Sequence, residues 1–183
     1  MRARTEPPPQ DTGALGPDAD AEAVGRQVLL AQLTGRARSR FELATRLIRK
    51  GVPEDIARRL LDRFEEVGLI DDESFAKAWV RSRQPGRGLA RRALAQELRG
   101  KGVDDEAARS ALDEIDPEDE VETARLLVRR KMRTISRVDH ATAVRRLTGL
   151  LARKGYQGGT AIRVVREELE AAGQESDDVV ESY

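Results

Sequence analysis

The chain has 183 residues, of which 36% are charged and 39% hydrophobic, while aromatic residues contribute only 3%. The absence of cysteine excludes a disulfide framework and thiol chemistry. No apolar run approaches the ~18 residues of a membrane-spanning helix, and the N-terminus lacks the apolar segment of a secretory signal. The composition predicts an extended helical protein of the cytoplasm, with modest cores in one domain or a few small modules.

The net charge of zero conceals blocks of opposite charge. Residues 26–166 contain 31 Lys and Arg against 21 Asp and Glu, whereas the first 25 and last 17 residues together contain 12 acids and two bases. Residues 104–122 hold ten acids and one arginine, and residues 125–154 hold ten bases and one aspartate. A basic stripe of this kind favours a polyanion or an acidic protein surface as partner, and a merely solvated charged face is the alternative.

The N-terminal part of the chain carries signals for disorder followed by one helix. Residues 1–17 include four prolines and almost no large apolar residue, which predicts a disordered extension. The apolar residues that follow Pro17 and Asp18 recur at helical spacing as far as Gly35. We therefore expect a first helix between these points.

Two further helices are indicated before the middle of the chain. Ser39 and Glu42 have the spacing of a capping box, which opens a second helix that should stop at Gly51. Pro53 is expected at the first position of a third helix, with acidic residues behind it at the positive end of the helix dipole. Gly68 is expected to end that helix in the left-handed conformation, with the next apolar residues folding back onto it.

The stretch GLIDDESFAKAWVRSR, residues 68–83, contains the only tryptophan and predicts a joint between two helices. Asp71 or Asp72 can cap the second of these helices. A turn of about 100° per residue places Phe75, Trp79 and Arg83 on one side. We interpret the aromatic residues as core, and Arg83 as stacking on the indole or pairing with a carboxylate such as Asp72.

The same pattern recurs along the chain. Residues 85–88, Pro-Gly-Arg-Gly, predict a break, after which two helices flank a second Lys-Gly-Val turn. A shift of 51 residues superimposes the first Lys-Gly-Val on the second, and a further shift of 53 reaches Lys-Gly-Tyr. These shifts align apolar positions of the three segments, with Thr160 and Glu168 as polar exceptions in the third. The sequence therefore predicts three modules of three helices each.

The third segment begins with Asp116 as a cap and Pro117 in the first turn of a helix that should extend to about Arg133. The arginines of this helix fall opposite its apolar side and predict a basic, exposed face. Together with arginines of the middle segment they form a candidate partner-facing surface. Its members are Arg81, Arg87, Arg91, Arg92, Arg125, Arg129, Arg130 and Arg133. The last helix is expected from about Thr160 to Ala172.

The predicted fold class is all-α, with three tandem three-helix repeats in an elongated, curved array. The extension is followed by the three modules and by an acidic tail that we expect to be frayed. The predicted boundaries are 1–17 for the extension, 18–70, 71–116 and 117–172 for the modules, and 173–183 for the tail.

No catalytic or cofactor-binding pattern is present in the sequence. The single histidine, His140, follows Asp139 near a helix start, where a solvated or capping role is far more common than a ligand role. Gly86 and Gly88 form a Gly-x-Gly pair, but no strand precedes it and no Gly-Lys-Ser/Thr follows, so it is not a phosphate loop. We therefore expect a binding protein, not an enzyme, with no cofactor and no metal.

The sequence resembles the RecX family of recombinase regulators. The resemblance rests on GLIDD-x-x-FA-x-x-WV-x-x-R in residues 68–83, on the Gly-x-Gly from Gly86, and on the recurrent L-x-x-x-L-x-x-K-G-V. It extends over residues 24–170 in the order and spacing of the modules. The N-terminal extension and the acidic tail depart from it.

The resemblance implies a protein that binds the recombinase RecA, lies along the RecA–single-stranded DNA filament, and inhibits its ATPase, strand exchange and coprotease activities. Weak direct binding to DNA and a monomeric state are further expectations. The alternative is a helix-turn-helix protein that acts on duplex DNA. The second helices disfavour it, because residues 104–115 are mainly acidic and residues 53–66 contain five acids.

Overall fold

The computed structural model describes residues 17–135 and 138–180, with side chains described as far as residue 173. Within these ranges the chain forms nine α-helices and no strand, which confirms the predicted all-α fold class. The helices are α1 (Pro17–Leu33), α2 (Arg40–Arg49), α3 (Glu54–Glu66), α4 (Asp72–Arg87), α5 (Arg91–Gly100), α6 (Asp105–Asp113), α7 (Pro117–Met132), α8 (His140–Arg153) and α9 (Gly158–Val180). The predicted disorder of the extension concerns residues 1–16, which lie outside the described part.

The helices belong to two compact units. The unit Met1–Asp71 contains α1, α2 and α3, which we call module 1. The unit Asp72–Tyr183 contains α4 to α6, called module 2, and α7 to α9, called module 3. Each module encloses its own cluster of buried apolar side chains, so the three-helix repeat is the unit of core formation.

The leucines that recur in the sequence occupy equivalent positions in the cores of the three modules. The middle helices α2, α5 and α8 each place two leucines four residues apart on the face that packs inside the module. All six leucines are fully buried: Leu43, Leu47, Leu94, Leu98, Leu147 and Leu151. Residues four apart lie on one side of a helix, which is why the same spacing serves in all three modules.

The Lys-Gly turns end the middle helices with one backbone device. Gly51, Gly102 and Gly155 adopt φ values of 77°, 71° and 89°. In each turn the glycine N–H donates to the carbonyl three residues earlier, and the N–H of the following residue donates to the carbonyl five residues earlier. This is the Schellman pattern, in which the residue after the glycine packs back onto the helix. That residue is buried in every module, as Val52, Val103 and Tyr156.

The predicted caps are largely confirmed. Ser39 and Glu42 form a complete capping box at α2. Asp116 caps α7 through a hydrogen bond from the Glu118 N–H. Gly68 has φ 71° after α3, as expected. Of the two residues that follow it, Ile70 is buried and Leu69 is half exposed, so only one of the pair folds back onto the core.

Three predicted helix bounds are wrong. Pro85 lies inside α4, which continues to Arg87, because a proline near a helix end removes only one hydrogen bond. Pro53 is the residue before α3 and not its first residue. The last helix begins at Gly158 and continues to Val180; Gly173 does not end it, because a single glycine costs only about 1 kcal/mol relative to alanine in a helix.

Candidate interaction surface

The aromatic cluster of module 2 is the centre of the region that carries the predicted basic residues. The rings of Phe75 and Trp79 lie 5.6 Å apart, and the indole Nε1–H donates to a Glu97 carboxylate oxygen at 2.8 Å. The Arg83 guanidinium lies 4.2 Å from the indole centroid, and the Lys101 ammonium lies 4.8 Å from it. The predicted stacking of Arg83 is confirmed, and the carboxylate close to Arg83 is that of Glu97, 3.8 Å away.

The two aromatic residues differ in burial: Phe75 lies in the core as predicted, whereas Trp79 is only partly buried. Phe75 is 5% exposed, whereas Trp79 packs against the edge of the module 2 core with its indole beneath two cations. The site therefore combines apolar packing with cation–π contacts that are worth roughly 0.5–2 kcal/mol each. Its geometry serves the structure of α4 and α5, as the sequence suggested for the motif residues.

A pair of cations connects the first and third helices of module 2. The Lys77 ammonium lies 3.3 Å from Glu114 and 2.9 Å from Glu73, and Arg81 donates to Glu114 at 3.1 Å. The hydrogen bonds from Arg81 and Lys77 lower the pKa of the Glu114 carboxyl. The Lys77 side chain is only 29% exposed because it lies over this carboxylate.

In module 3, basic residues of the first helix likewise pair with carboxylates of the third helix. Arg129 forms a bidentate contact with Glu168, in which Nε donates to one carboxylate oxygen at 2.7 Å and Nη2 donates to the other at 3.0 Å. Arg125 donates to Glu167 at 3.2 Å and lies 4.0 Å from Glu168. The Glu168 side chain is 9% exposed. The predicted exposure holds for Arg129, which is 53% exposed, but both arginines contact α9, which the sequence analysis did not predict.

Both arginines contact α9 because Glu168, in the middle of that helix, is buried. The repeat places Phe64 in module 1 and Ile115 in module 2 at the position of Glu168, and both are buried. A buried carboxylate needs a charged partner, and two arginines one helical turn apart on α7 supply it. The polar exception in the repeat was the signal from which the pairing could have been predicted.

Arg91 also has a structural role, which lies at the contact between modules 2 and 3. Its backbone N–H donates to Glu120 at 2.8 Å, and its guanidinium donates to the Ile115 carbonyl oxygen. Nearby, the Ala90 N–H donates to the Lys154 carbonyl at 2.9 Å. Arg91 thus holds the start of α5 against the first turn of module 3.

The third Lys-Gly turn completes this contact. Lys154 Nζ donates to the Arg87 carbonyl at 2.7 Å, and Tyr156 is buried with its hydroxyl 3.4 Å from the Gly88 carbonyl. Burial, and next the charge of Glu120, raise the pKa of the Tyr156 phenol. A Cβ at Gly155 would lie 2.5 Å from the Ala93 nitrogen, so no larger residue fits this turn without a shift of backbone. At this turn the backbone of module 3 therefore packs directly against the backbone of module 2.

The eight predicted arginines fall into two groups. Arg81, Arg87, Arg91, Arg125 and Arg129 have carboxylates within 4 Å. Arg92, Arg130 and Arg133 are exposed and have no ion pair among the residues that the structure describes. The second group is the part of the predicted surface whose charge is not already compensated inside its own module.

A groove between α5 and α6 adds two arginines that the sequence did not single out. It has a volume of about 500 Å³, and Arg99 and Arg109 line it together with Arg92. Both are exposed, and neither has an ion pair within the described part of the chain. Because the repeat places Arg99 at the position of Ile48, a comparison of outward positions between modules was the signal that could have found it.

The sequence matches three family models, each of which describes one RecX three-helix domain. The first domain matches residues 26–64, the second residues 71–112 and the third residues 118–165. The chain is 48% identical to the regulatory protein RecX of Streptomyces coelicolor over 180 residues, which cover 94% of this chain and 96% of the relative. The chain belongs to the RecX family.

Other RecX proteins support the assignment. The regulatory protein RecX of Thermobifida fusca is 49% identical over 165 residues, covering 90% of this chain and 89% of the relative. The crystal structure of RecX from Lactobacillus salivarius aligns with a TM-score of 0.74 at 22% identity, over 82% of this chain and 97% of that one. A second solved regulatory protein RecX aligns with a TM-score of 0.73 at 23% identity, over 80% and 73%. At these identities the solved structures show that the helical fold is shared.

Proposed function

We propose that this protein binds RecA and the RecA–single-stranded DNA filament and restrains the ATPase, strand-exchange and coprotease activities of RecA. Such binding would limit recombination and the SOS response. The observation that carries the proposal is the match of all three modules, in order, to the RecX three-helix domains. Relatives that are named regulatory proteins align with it over nearly the whole chain.

The chemistry of the surface supports action by binding. In the described ranges, no group of three or more His, Asp or Glu side chains could hold a metal ion, and no helix is long and apolar enough to cross a membrane. Arginines without an ion pair among the described residues lie on exposed helix faces of the second unit instead. Such a surface suits phosphate or carboxylate groups on a macromolecule.

The ion pairs decide which arginines are available to the partner. Arg125 and Arg129 are engaged by Glu167 and Glu168 in their own module. Arg130 and Arg133 are exposed on the same helix, without an ion pair among the described side chains. We therefore assign partner binding to Arg130 and Arg133 on α7, and a structural role to Arg125 and Arg129.

Direct recognition of duplex DNA is a poorer explanation of the same helices. In a helix-turn-helix protein the second helix enters the major groove and must tolerate phosphate on both sides. Here α6 exposes Asp105, Glu106 and Asp113 to solvent. The exposed carboxylates would repel the DNA backbone, which argues for a protein or a protein–DNA filament as partner.

The test is the ATPase rate of RecA on single-stranded DNA with substoichiometric amounts of this protein. We expect the parent to lower the rate, and Arg130→Glu/Arg133→Glu to be a much weaker inhibitor with an unchanged melting temperature. The double variant Arg145→Glu/Arg146→Glu makes the same charge change on α8 and serves as the control. Inhibition should also weaken as salt rises, because charges more than ~8 Å apart are screened at physiological ionic strength.

A parent protein that leaves the RecA ATPase unchanged at every ratio would refute the proposal. Equal inhibition by the parent and the α7 variant, at low and high salt, would remove Arg130 and Arg133 from the contact without refuting RecA as partner.

A further inference from the structure

The groove between α5 and α6 combines an apolar floor with a basic rim. Ala95, Val103, Ala108 and Leu112 contribute apolar surface to its lining. Val103 and Ala108 are 5% and 9% exposed, so the floor is continuous with the core of module 2. A ligand in this groove would therefore contact packed, immobile apolar side chains.

The rim carries three cations without ion pairs among the described residues. Arg92 and Arg99 are seven residues apart on α5, which places them on the same side of that helix, and Arg109 faces them from α6. Most of the neighbouring arginines have a carboxylate within 4 Å. The rim thus offers three guanidinium groups whose donors face solvent above an apolar floor.

The three-helix repeat does not require Arg92 or Arg99, whereas Arg109 has a counterpart in Arg58 of module 1. At the positions of Arg92 and Arg99 module 1 has Phe41 and Ile48, which are exposed by 54% and 61%. Core positions are alike in both modules, so the repeat constrains the buried face and leaves the outward face open to variation. The charge that α5 contributes to the rim is therefore a property of module 2 and not of the fold.

Two features of the groove distinguish a peptide from a nucleic acid. Asp105 and Asp113 line it beside the arginines, so the uniform negative charge of a phosphate chain would meet repulsion there, whereas a peptide can place its carboxylates at the arginines and its uncharged side chains beside the two aspartates. None of the described residues that line it is aromatic, so they offer no ring on which a base could stack. An apolar floor with a basic rim suits a peptide whose small apolar side chains enter the groove while its carboxylates meet the arginines.

We propose that the groove between α5 and α6 binds an acidic segment of the partner protein, in which small apolar residues alternate with glutamate or aspartate. The inference rests on the proposed function for the identity of that partner and adds the chemistry by which the partner is held. Arg92, Arg99 and Arg109 bind the carboxylates, and the apolar floor binds the side chains between them.

The experiment measures fluorescence anisotropy of three labelled probes with the full-length protein. The first probe is a 12-residue peptide of alternating Glu and Val or Ala, the second has Lys in place of Glu, and the third is a 12-nucleotide oligo-dT. We expect saturable binding of the acidic peptide only, weakened by salt. In the variant Arg92→Glu/Arg99→Glu/Arg109→Glu the affinity should fall about tenfold or more, because three favourable charge pairs become unfavourable.

The control for net charge is Arg145→Glu/Arg146→Glu/Arg153→Glu, three exposed positions of module 3. It should bind the acidic peptide as the parent does, and circular dichroism melting should show both variants folded. Binding of oligo-dT in preference to the acidic peptide, or equal losses in the two triple variants, would overturn the proposal. An absence of peptide binding by a parent that still inhibits the RecA ATPase would overturn the groove and leave the proposed function standing.

Discussion

Modules 2 and 3 connect their first and third helices by different chemistry at equivalent positions. In module 2 the end of α6 packs through Ile115, which is 4% exposed, and the carboxylate beside it lies near the surface. In module 3 the middle of α9 packs through Glu168, which accepts two hydrogen bonds from Arg129. The comparison teaches that one helical repeat tolerates a charge in its core when cations are already placed next to it.

Both modules have cations next to this position because α4 and α7 carry basic residues at the same spacing. A shift of 48 residues superimposes the buried Ala76 and Val80 of α4 on Ala124 and Val128 of α7. The same shift places the basic residues of α4 on those of α7: Lys77 on Arg125 and Arg81 on Arg129. An arginine provides a planar fork that binds both oxygens of a carboxylate, which lysine cannot do.

The largest expected effect concerns what the two modules have in common. Leu98→Ala in module 2 and Leu151→Ala in module 3 should each destabilise the protein by about 3–5 kcal/mol, because both leucines are fully buried. Denaturant unfolding followed by circular dichroism measures the loss, with Arg99→Ala, exposed beside Leu98, as the control. If either variant lost less than about 1 kcal/mol of unfolding free energy, the equivalent leucines would not stabilise the two cores to a similar extent.

The second prediction concerns a difference between the two modules, because module 2 has the aromatic cluster and module 3 has no tryptophan. Trp79→Ala should destabilise by about 3 kcal/mol, the low end for such changes, because the indole is only partly buried. The variant also removes the partner of the Glu97 carboxylate and the ring beneath Arg83. Trp79→Phe retains the packing and should lose about 1 kcal/mol. Thermal melts that coincide for parent and Trp79→Ala would instead mark the residue as a contact for a partner.

The third prediction tests the charged contact of module 3 by a double-mutant cycle. Arg129→Ala should cost about 2 kcal/mol, because it leaves Glu168 buried with only Arg125 nearby. Glu168→Ile copies the apolar solution of module 2 and should cost less than about 1 kcal/mol. In the Glu168→Ile background the change Arg129→Ala should then be nearly neutral. Additive losses in urea unfolding would mean that the two residues do not depend on each other.

The smallest effect is the pH dependence of the carboxylate in module 2. Hydrogen bonds from Arg81 and Lys77 lower the pKa of Glu114 below its ordinary value of 4.5. Its stabilising effect is therefore fully present above that value and is lost as the pH falls through the lowered pKa. The melting temperature of the parent should exceed that of Glu114→Gln at pH 7, and the difference should shrink toward zero in acid.

The pKa of a second carboxyl group, that of Asp139, is also lowered, and this does not disturb the comparison. A backbone hydrogen bond from Thr142 lowers the pKa of Asp139, the cap of α8, in both proteins, so its contribution cancels in the difference. A difference in melting temperature that stayed constant from pH 7 to acid would show that the charge of Glu114 is irrelevant to its contact.

Much of the fold could be predicted because its signals are local. The capping box at Ser39 and the left-handed glycine at Gly68 depend on residues within one turn of them, and both are confirmed. The leucine repeat identified the middle helices for the same reason. The error at Pro85 arose where a local signal was overruled, since α4 continues through it to Arg87.

The candidate surface was harder to predict because charge depends on distant neighbours. Arg129 and Arg130 are adjacent in the sequence and both exposed, yet Arg129 pairs with Glu168 and Arg130 has no ion pair among the described residues. Periodicity assigns a side of the helix but not the residue that lies across from it. Arg99 and Arg109 were missed for this reason, since only the packing of α5 on α6 brings them to one groove.

The sequence by itself determined the helices, their caps and the three-fold repeat of the core, because backbone preference and apolar spacing act over one or two helical turns. The motif in residues 68–83 and the recurrent Lys-Gly turns were sufficient to indicate the RecX family. Only the tertiary structure decided which arginines are already paired. Glu168 lies 39 residues from Arg129 along the chain and 2.7 Å from it in space, and an ion pair depends on the second distance.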